Sequence, residues 1–383
     1  MRVAVLAERA EGERRTSATP ETVKKLLALG AEAVAVEAGA GQAASLADDV
    51  YRAAGATVAP RAAVLDGADV ILCVAGPEPD ALAGARAGAL LVGMLDPFRR
   101  GEAIAAYAAA GLEAVAMEWV PRITRAQGMD VLSSQSNLAG YKAVLDAAAE
   151  YGRAFPMMMT AAGTVSAARV FVMGVGVAGL QAIATARRLG AVVSATDVRP
   201  ETREQIESLG AKAVFAADLS AAGTGGYAAE LSDEQRAAQA ELVSGHIAKQ
   251  DVVITTALIP GRAAPRLVSA EQLASMRPGS VVVDLAVEQG GNVEGSVPGE
   301  VVEVSGVRIV GHRNVPSRLA ADASALYARN LLNFVTAFWN AETRSVALPD
   351  EDEIVTATRV TRGGRVVHPR LESQVVVPAR TDD

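Results

Sequence analysis

Apolar runs of strand length alternate with helical patterns through the first third of the chain. The runs are rich in Ala, Val and Leu, and they lie at 2–7, 31–39, 68–74, 89–94 and 112–117. Segments between them place apolar residues at the three- and four-residue spacing of a helix. This alternation predicts a parallel sheet with helices on both faces.

One of the intervening helices has local signals at both ends. In the segment TPETVKKLLALG (19–30), Thr19 can cap a helix, Pro20 can open it and Gly30 can end it. We therefore predict a helix that begins after Thr19 and ends before Gly30.

The same alternation restarts in the middle of the chain. Residues 168–191 read as a strand, a glycine-rich turn and a helix, and further strands are predicted at 192–197, 251–257, 279–286 and 307–311. These strands are rich in Val and Ile, as expected when both faces of a sheet are buried. A second parallel α/β unit is therefore predicted.

Two long helical patterns, at 133–152 and 317–339, join the two units in the sequence. The predicted fold class is α/β, with two Rossmann-like parallel-sheet domains joined by these helices. The first domain is predicted to be discontinuous, with residues 1–132 plus 319–383. The second Rossmann domain is predicted to be inserted at 133–318.

Two shorter segments give further expectations. The segment 355–368 is expected to form a β-hairpin that turns at Gly363–Gly364 and packs on the first domain. The segment PMMM (156–159) is expected to fill space in a core, because methionine adapts to irregular gaps.

Composition and charge disfavour several classes of protein. The 383 residues carry a net charge of −8, which disfavours binding to the phosphates of nucleic acids. Cys73 is the only cysteine, so no internal disulfide can form, and its apolar surroundings predict an inert core thiol. The three histidines are isolated, so no metal site is predicted. We also expect no signal peptide and no membrane helix, since no apolar run approaches the ~20 residues that a span needs.

The segment GVGVAG (174–179) follows a predicted strand and opens a predicted helix, which is the context of a dinucleotide-binding turn. Gly174 would allow a tight turn, Gly176 a close approach of the backbone to a pyrophosphate, and Gly179 close packing of the helix on the strand. The free N–H groups of the helix N-terminus would then face the phosphates. The alternative is a turn that needs glycine for packing alone.

Asp197 ends the next predicted strand, 18 residues after Gly179. A carboxylate at this point accepts hydrogen bonds from the adenosine ribose and repels a 2′-phosphate, which predicts NAD(H) rather than NADP(H). Arg199, two residues later, works slightly against this preference.

Two other loops are candidates for contacts with the cofactor. The loop at 255–261 follows a strand, so Leu258 could pack against a dinucleotide, although an ordinary loop stiffened by Pro260 fits as well. The segment 218–230, made of small residues around Tyr227, is either a solvent loop or a mobile flap.

The segment PRITRAQGMDVLSSQSN (121–137) concentrates polar side chains at the predicted mouth of the cleft between the domains. These side chains are Arg122, Arg125, Gln127, Asp130 and Ser133. Such a set of donors and acceptors can hold a carboxamide and its ribose. The alternative is a helix-entry loop in which Ser133 or Ser134 caps the helix and an Arg–Asp pair lies on the surface.

Several stretches together resemble a known family. They are RITRAQGMDVLSSQSNLAGY, FPMMMTAAGTV, GVGVAGLQAIATARRLGA, TTALIPGRAAP and GSVVVDLAVEQGGN. They are similar to the NAD(H)-binding subunits of proton-translocating NAD(P)+ transhydrogenases, within the alanine dehydrogenase/transhydrogenase family. The similarity runs from the first strand to about Pro369. It implies direct hydride transfer of the Si-Re (AB) type from NADH to NADP+ on a partner chain, coupled to proton translocation.

The resemblance also implies roles for individual residues. At the nicotinamide it implies catalytic positions at Arg122, Gln127, Asp130 and Ser133, with Ile123 and Thr124 as further cofactor contacts. Elsewhere it implies NAD(H) contacts at Val175, Gly176 and Val177 for the pyrophosphate, Asp197, Val198 and Arg199 for the adenosine ribose, Gly226 and Tyr227 in a mobile loop, and Gln239 and Leu258.

The same resemblance implies partners and a location. The chain would form a homodimer and assemble with a membrane-spanning subunit and an NADP(H)-binding beta subunit. It would lie in the cytoplasm, attached to the cytoplasmic face of the inner membrane through these partners. Because no membrane segment is predicted in this chain, it resembles the form of the enzyme that is split into three polypeptides.

Two other functions stay open. An alanine dehydrogenase-like enzyme for small amino or keto acids would use a lysine after the strand at 68–74 and a histidine after the next strand. The resemblance places Cys73 at the lysine position, and no histidine lies near Met94. A non-catalytic scaffold that senses NAD is the third hypothesis.

Overall fold

The computed structural model describes residues 1–199, 201–216, 233–259 and 261–372. The chain divides into two compact units. Unit 1 comprises Met1–Gln135 and the chain from Ser317 onward, and unit 2 comprises Ser136–Pro316. The domain limits inferred from the sequence stay a prediction.

The described residues form these strands, in chain order: β1 (Arg2–Val5), β2 (Ala33–Glu37), β3 (Thr57–Ala59), β4 (Val70–Ala75), β5 (Leu90–Met94), β6 (Glu113–Ala116), β7 (Met158–Thr160), β8 (Gly163–Val165), β9 (Arg169–Met173), β10 (Val192–Thr196), β11 (Lys212–Ala213), β12 (Val252–Thr255), β13 (Val281–Asp284), β14 (Val301–Val304), β15 (Val307–Val310), β16 (Trp339–Asn340), β17 (Ser345–Val346), β18 (Arg359–Arg362) and β19 (Arg365–Val366). The α-helices are α1 (Pro20–Leu29), α2 (Asp48–Ala53), α3 (Arg61–Leu65), α4 (Gly101–Ala109), α5 (Val131–Glu150), α6 (Val177–Arg188), α7 (Thr202–Ser208), α8 (Asp233–Ile247), α9 (Ala270–Ser275), α10 (Ala320–Ala337), α11 (Glu353–Thr358) and α12 (Pro369–Glu372).

The sheet of unit 1 has the strand order β19-β18-β6-β5-β4-β1-β2-β3. Strands β1 to β6 are parallel, and β18 and β19 extend the sheet in the antiparallel sense. Along β1, Val3 and Val5 belong to one buried cluster, whereas Ala4 and the following Leu6 belong to another. Because successive side chains of a strand point to opposite faces, the sheet is buried on both faces.

Helix α1 begins and ends where its local signals predict. Thr19 and Thr22 form a reciprocal capping box, in which each hydroxyl accepts a hydrogen bond from the backbone N–H of the other residue. Gly30, with a φ of 119°, closes the helix in the left-handed conformation. Val23 and Leu26 are buried on the inner face of the helix. Both predicted ends are therefore confirmed.

The hairpin predicted near the C-terminus is confirmed only over its second half. Strands β18 and β19 pair around Gly363 and Gly364, whose φ values are 56° and 78°, and β18 joins the unit 1 sheet beside β6. The prediction is wrong for residues 355–358, which belong to helix α11. The Asp352 side chain accepts hydrogen bonds from two N–H groups of the first turn of that helix, so capping overrides the strand preference of a β-branched run.

The long helical patterns and the lone cysteine also follow the predictions. Helices α5 and α10 occupy the two predicted segments, and a 3-10 helix at Val315–Leu319 precedes α10. Cys73 lies in β4 with 1% of its surface exposed, and burial raises the pKa of its thiol well above the usual value. The core position of this thiol is therefore confirmed.

Two carboxyl groups lie at the carboxyl-terminal edge of the unit 1 sheet. Glu8 accepts hydrogen bonds from the N–H groups of Val74 (2.6 Å) and Ala75 (3.1 Å), and Glu118 accepts them from the N–H groups of Leu95 (3.2 Å) and Asp96 (2.5 Å). Loss of solvation raises the pKa of each carboxyl from 4.5 to about 7, although these backbone hydrogen bonds act in the opposite direction. Each group therefore binds its proton more tightly in the folded chain than in the unfolded chain.

We expect Glu118→Gln to raise the free energy of unfolding at pH 8 by about 1–2 kcal/mol, after allowance for partial exposure of the carboxyl group and for the one backbone hydrogen bond that the amide NH2 group cannot accept. A raised pKa gives stability that is fully present below pH 4.5 and is lost as the pH rises to about 7, so the gain should shrink toward pH 4.5. Denaturant unfolding across this range measures the difference, with Glu32→Gln at an exposed position as the control. Equal effects of the two variants at every pH would contradict the prediction.

The sheet of unit 2 has the strand order β11-β10-β9-β12-β13-β15-β14, and only the edge strand β14 is antiparallel among its described strands. Along β9, Val170 and Val172 face one buried cluster, whereas Phe171 and Met173 face another. The strand order reverses between β9 and β12. In open α/β sheets, ligands bind outside the carboxyl ends of the strands at such a point.

The segment PMMM (156–159) does not lie in the core, so that prediction is wrong. Strands β7 and β8 form a separate two-stranded hairpin, and Met157 and Met159 are 64% and 81% exposed. These two strands pair with each other rather than with the main sheet. Their methionine side chains therefore stay in contact with solvent.

Candidate dinucleotide-binding site

The glycine turn lies between the end of β9 and the start of α6. Gly174 has a φ of 99°, and a Cβ there would lie 2.6 Å from the Thr256 hydroxyl oxygen. A Cβ on Gly179 would overlap the carbonyl oxygen of Gly174. Packing within unit 2 therefore demands glycine at the first and third positions of the motif.

The second glycine of the motif is not required by packing. A Cβ built on Gly176 meets no described atom within 4 Å, and its backbone is extended, with φ −81° and ψ −166°. Gly176 is also the N-cap of α6, so it brings no side chain to bond the N–H groups of the first turn. Gly176 and Val177 are exposed. The open space and the available donors fit a dinucleotide pyrophosphate.

Asp197 follows β10 and is bonded directly to the glycine turn. One of its carboxylate oxygens accepts a hydrogen bond from the N–H of Val175 at 2.7 Å. The same carboxylate is held by the backbone N–H and the guanidinium of Arg199 at 2.9–3.0 Å. This ion pair raises the pKa of the Arg199 guanidinium. An acidic group thus lies beside the turn, directly after β10, where a ribose contact was predicted.

The loop after β12 is fixed to the turn by two side chains, Thr256 and Asn292, for which the sequence predicted no individual role. The Thr256 hydroxyl donates to the carbonyl of Gly174 at 2.9 Å. The Asn292 side chain, which is completely buried, accepts from the N–H of Ala257 (3.1 Å) and donates to its carbonyl (2.9 Å). Leu258, the residue after this anchor, is 47% exposed. An asparagine directly after a Gly-Gly pair was the available sequence signal for such an anchor.

Gln239 of α8 bridges the end of β10 and the chain that follows β11. Its side-chain amide donates to the Thr196 hydroxyl (2.9 Å) and accepts from the N–H of Ala216 (3.0 Å). Gln239 therefore has a structural role in addition to the cofactor contact predicted for it. The candidate flap at 218–230, with Gly226 and Tyr227, lies outside the described residues.

The polar segment of unit 1 forms a 3-10 helix, Thr124–Met129, followed by α5. Ala126 and Met129 are buried in the unit 1 core. The carbonyl of Gly128 accepts hydrogen bonds from the side-chain amides of Asn330 and Asn333, both at 2.8 Å. The segment is therefore firmly attached to α10.

The polar side chains of this segment divide into two groups. Arg125 pairs with Asp352 at 2.8–2.9 Å, and the Asp130 carboxylate accepts hydrogen bonds from the N–H (2.8 Å) and hydroxyl (2.6 Å) of Ser133. Asp130, not Ser133 or Ser134, therefore caps the first turn of α5, and the serine cap considered from the sequence is wrong.

Arg122 and Gln127 form the second group. Both side chains are exposed, and neither forms a hydrogen bond with another described residue. Thr124 is also exposed, whereas Ile123 packs partly against the core. Two side chains with strong hydrogen-bonding capacity are thus presented to solvent on a rigid support.

The described residues show neither a metal-binding cluster nor a membrane-spanning helix. No group of three or more His, Cys, Asp or Glu side chains in this portion of the chain is arranged to hold a metal ion. No helix in it is both long enough and apolar enough to cross a membrane.

Comparison with known proteins identifies the family. Residues 4–139 match the N-terminal domain of the alanine dehydrogenase/PNT family, and residues 143–369 match its C-terminal domain. A Rhodospirillum rubrum protein, named as the first section of NAD(P) transhydrogenase subunit alpha, is 54% identical over 383 residues, which cover 98% of this chain and 100% of that protein.

Solved and more distant relatives agree with this assignment. The crystal structure of a transhydrogenase from Sinorhizobium meliloti is 57% identical, has a TM-score of 0.88, and covers 96% of this chain and 100% of that chain. An alanine dehydrogenase of Halomonas elongata is 30% identical over 375 residues, 95% of this chain and 94% of that protein. The predicted α/β fold class and the predicted resemblance are confirmed. The chain belongs to the alanine dehydrogenase/PNT family.

Proposed function

We propose that this chain is the NAD(H)-binding subunit of a proton-translocating transhydrogenase. It takes part in Si-Re (AB) hydride transfer between NADH and NADP+ that is held by a separate partner chain. The observation that carries this proposal is the 54% identity, over 98% of the chain, to a protein named as a transhydrogenase subunit. The geometry of the glycine turn supports the NAD(H) role within the proposal.

Unit 2 supplies the groups that would hold NAD(H). The N–H groups at Gly176 and Val177 are suited to the pyrophosphate, and Asp197 with Val198 to the adenosine ribose. Leu258 offers an exposed apolar surface, and Gln239 supports the end of β10. Bound NADH supplies the hydride, so the protein needs no nucleophile of its own.

Unit 1 supplies the groups proposed for the nicotinamide. Arg122 offers a planar set of donors, and Gln127 offers both a donor and an acceptor, which match a carboxamide. Asp130 and Ser133 hold each other at the start of α5, so they would fix the segment as well as bond the cofactor. Positioning of this kind is the main contribution that a protein makes to hydride transfer.

We also propose the assembly that the relatives' names suggest. The chain would act with a membrane-spanning subunit and an NADP(H)-binding beta subunit, at the cytoplasmic face of the inner membrane. Proton movement through the membrane partner would drive the reaction toward NADPH. The naming of the Rhodospirillum protein as a subunit supports the existence of such partners.

We further propose that the chain forms a homodimer. The hairpin of β7 and β8, with its exposed methionines, supports this proposal. Met157, directly before β7, exposes apolar surface together with Met158 and Met159 of β7 and Val165 of β8. An isolated two-stranded hairpin is only marginally stable in water. Exposed methionine surface of this kind is typical of a protein contact.

We expect Met159→Glu to weaken self-association at least about tenfold, because an apolar side chain buried in the dimer would become a desolvated charge. Sedimentation velocity over a range of protein concentrations measures the effect. Val50→Glu, at an exposed apolar position on α2 of unit 1, is the control. Equal association of wild type and Met159→Glu would place the dimer contact elsewhere.

The alternative function is an alanine dehydrogenase-like oxidoreductase. The 30% identity to the Halomonas enzyme favours it. The burial of Cys73 argues against a dehydrogenase of this kind, because burial raises the pKa of the thiol and keeps the thiol away from substrate. Acid catalysis on an imine needs an accessible proton donor.

The experiment that tests the proposal is a hydride-transfer assay from NADH to thio-NADP+. The purified chain is assayed alone and with an added NADP(H)-binding partner, and pyruvate with ammonia is the competing acceptor. Transfer only in the presence of the partner would establish the subunit function. Turnover of pyruvate by the chain alone would establish the dehydrogenase instead, and NADH binding without any transfer would favour an NAD-sensing scaffold.

A further inference from the structure

The Asp197 carboxylate has its hydrogen-bonding capacity filled from within the protein. Its oxygens accept from the N–H of Val175 (2.7 Å), the N–H of Arg199 (2.9 Å), and two guanidinium nitrogens of Arg199 (2.9 and 3.0 Å). Two carboxylate oxygens offer about four lone-pair positions. A ribose therefore finds no vacant acceptor at Asp197 while the guanidinium stays in place.

The four donors differ in how easily they can leave. The two backbone N–H groups belong to the glycine turn and to the chain after β10, so they are fixed by the fold. The Arg199 guanidinium is attached through a flexible side chain, is 25% exposed, and also donates to the carbonyl of Val175 at 3.3 Å. Asp197, in contrast, is only 7% exposed. The guanidinium is thus the donor that a ribose can replace.

We propose that Arg199 determines specificity by competing with the cofactor for Asp197. This inference rests on the proposed function, since it concerns the same NAD(H) site. The ribose hydroxyls of NAD(H) take the two acceptor positions that the guanidinium gives up. Binding of NAD(H) then always breaks the two hydrogen bonds between the Arg199 guanidinium and the Asp197 carboxylate. The free energy needed to break them lowers the affinity for NAD(H).

The displaced guanidinium has a second consequence. It remains within reach of the ribose end of the site and keeps its positive charge. That charge partly offsets the repulsion between Asp197 and a 2′-phosphate. Arg199 therefore weakens the binding of NAD(H) and favours that of NADP(H), and both effects reduce discrimination between the two cofactors.

The test uses the full chain and two variants at this position. Arg199→Ala removes the competitor, and Arg199→Lys keeps the charge but removes the planar fork. Arg203→Ala is the matched control, because it removes the same charge from nearby α7, where the guanidinium lies 5.0 Å from the centre of the Phe215 ring. NADH and NADPH are titrated separately, with the fluorescence of the reduced nicotinamide as the signal.

We expect Arg199→Ala to bind NADH about three- to tenfold more tightly than the wild type. The variant has no ion pair between residue 199 and Asp197 to break, and an ion pair that is partly exposed contributes this amount. NADPH should bind more weakly, so the ratio of the two dissociation constants changes by more than either alone. Arg199→Lys should lie between wild type and Arg199→Ala for NADH. Arg203→Ala should change the NADH affinity less than twofold.

A double-mutant comparison with Asp197→Asn separates competition from a general charge effect. If Arg199 competes, Asp197→Asn costs more NADH affinity in the Arg199→Ala background than in the wild type, because the carboxylate is then fully available. Equal costs in the two backgrounds overturn the inference. So does weaker or unchanged NADH binding by Arg199→Ala.

The wild-type titration keeps this inference distinct from the proposed function. If the wild type binds NADH and Arg199→Ala binds it no more tightly, only the role of Arg199 is overturned. If neither the wild type nor any variant binds NADH, the proposed function and this inference are both overturned. Circular dichroism of each variant confirms that it is folded, and Arg199→Lys carries the test if Arg199→Ala is not.

Discussion

The Gly176→Ala variant is expected to bind NADH about 10- to 100-fold more weakly than the wild type while losing at most about 1 kcal/mol in the free energy of unfolding. Gly179→Ala is expected to behave differently, with a loss of about 2–4 kcal/mol in the free energy of unfolding. The two glycines stand three residues apart in one motif. Their surroundings differ, however, so that Gly176 should matter for cofactor binding and Gly179 for packing.

The expected effect at Gly176 comes from the space beside its backbone. A Cβ there meets no described atom within 4 Å, and extended backbone dihedrals suit alanine as well as glycine. The added methyl group therefore costs the free protein at most about 1 kcal/mol, for the loss of glycine at the N-cap of α6. It would occupy the space through which a pyrophosphate reaches the N–H groups, so the hydrogen bonds to phosphate would be lost.

The expected effect at Gly179 comes from contact between α6 and the turn before it. A Cβ on Gly179 would overlap the Gly174 carbonyl, which also accepts the hydrogen bond from Thr256. The helix would have to move away from the turn, and this movement would disrupt the packing on β9. Weak NADH binding by this variant would follow from lost stability.

Paired measurements distinguish the two effects. Denaturant unfolding gives the stability of each variant, and NADH titration gives its affinity. Gly245→Ala on α8 is the control, because a Cβ there also meets no described atom within 4 Å and alanine favours a helix. Normal NADH affinity in a well-folded Gly176→Ala protein would rule out a pyrophosphate at this turn.

Elements with strong local signals could be predicted from the sequence. The ends of α1 followed from Thr19 and Gly30, and the buried strands followed from continuous runs of apolar residues. The edge strand β14 had no such signal, because its side chains are only partly buried and its pairing with β15 is antiparallel.

Predictions from the sequence failed where the structure depends on contacts between residues that are far apart in the chain, or on the lack of such contacts. Methionines at 157–159 look like core residues in any local window, and only the sheet topology leaves them exposed.

The candidate site divides in the same way. The glycine turn and Asp197 could be placed from spacing alone, because a strand, a turn and a helix fix them locally. The bonding of Asp197 by Arg199 depends on a side-chain conformation, and the support of Ala257 by Asn292 joins residues 35 positions apart. Neither of these two interactions produces a recognisable pattern in the sequence. Both affect how the loops around the turn are held.

Gln127→Asn is expected to slow hydride transfer at least about tenfold while changing NADH affinity less than twofold. Asparagine keeps the same amide group but shortens the side chain by one methylene. The segment cannot shift to compensate, because two asparagines of α10 hold the carbonyl of Gly128, the next residue. A group that orients the reacting ring, as proposed here, should therefore lose its effect on rate before its effect on binding.

The partner assay with thio-NADP+ measures the rate, and titration of the chain alone measures the affinity. Gln205→Asn, the same change at an exposed position of α7, is the control and should alter neither quantity. A fall in NADH affinity that matches the fall in rate would make Gln127 a binding residue rather than an orienting one. An unchanged rate would mean that the exposed amide of Gln127 serves another purpose. Arg122 would then be the first candidate to test next, ahead of Asp130 and Ser133, because its exposed side chain forms no hydrogen bond with another described residue, whereas those two bond each other.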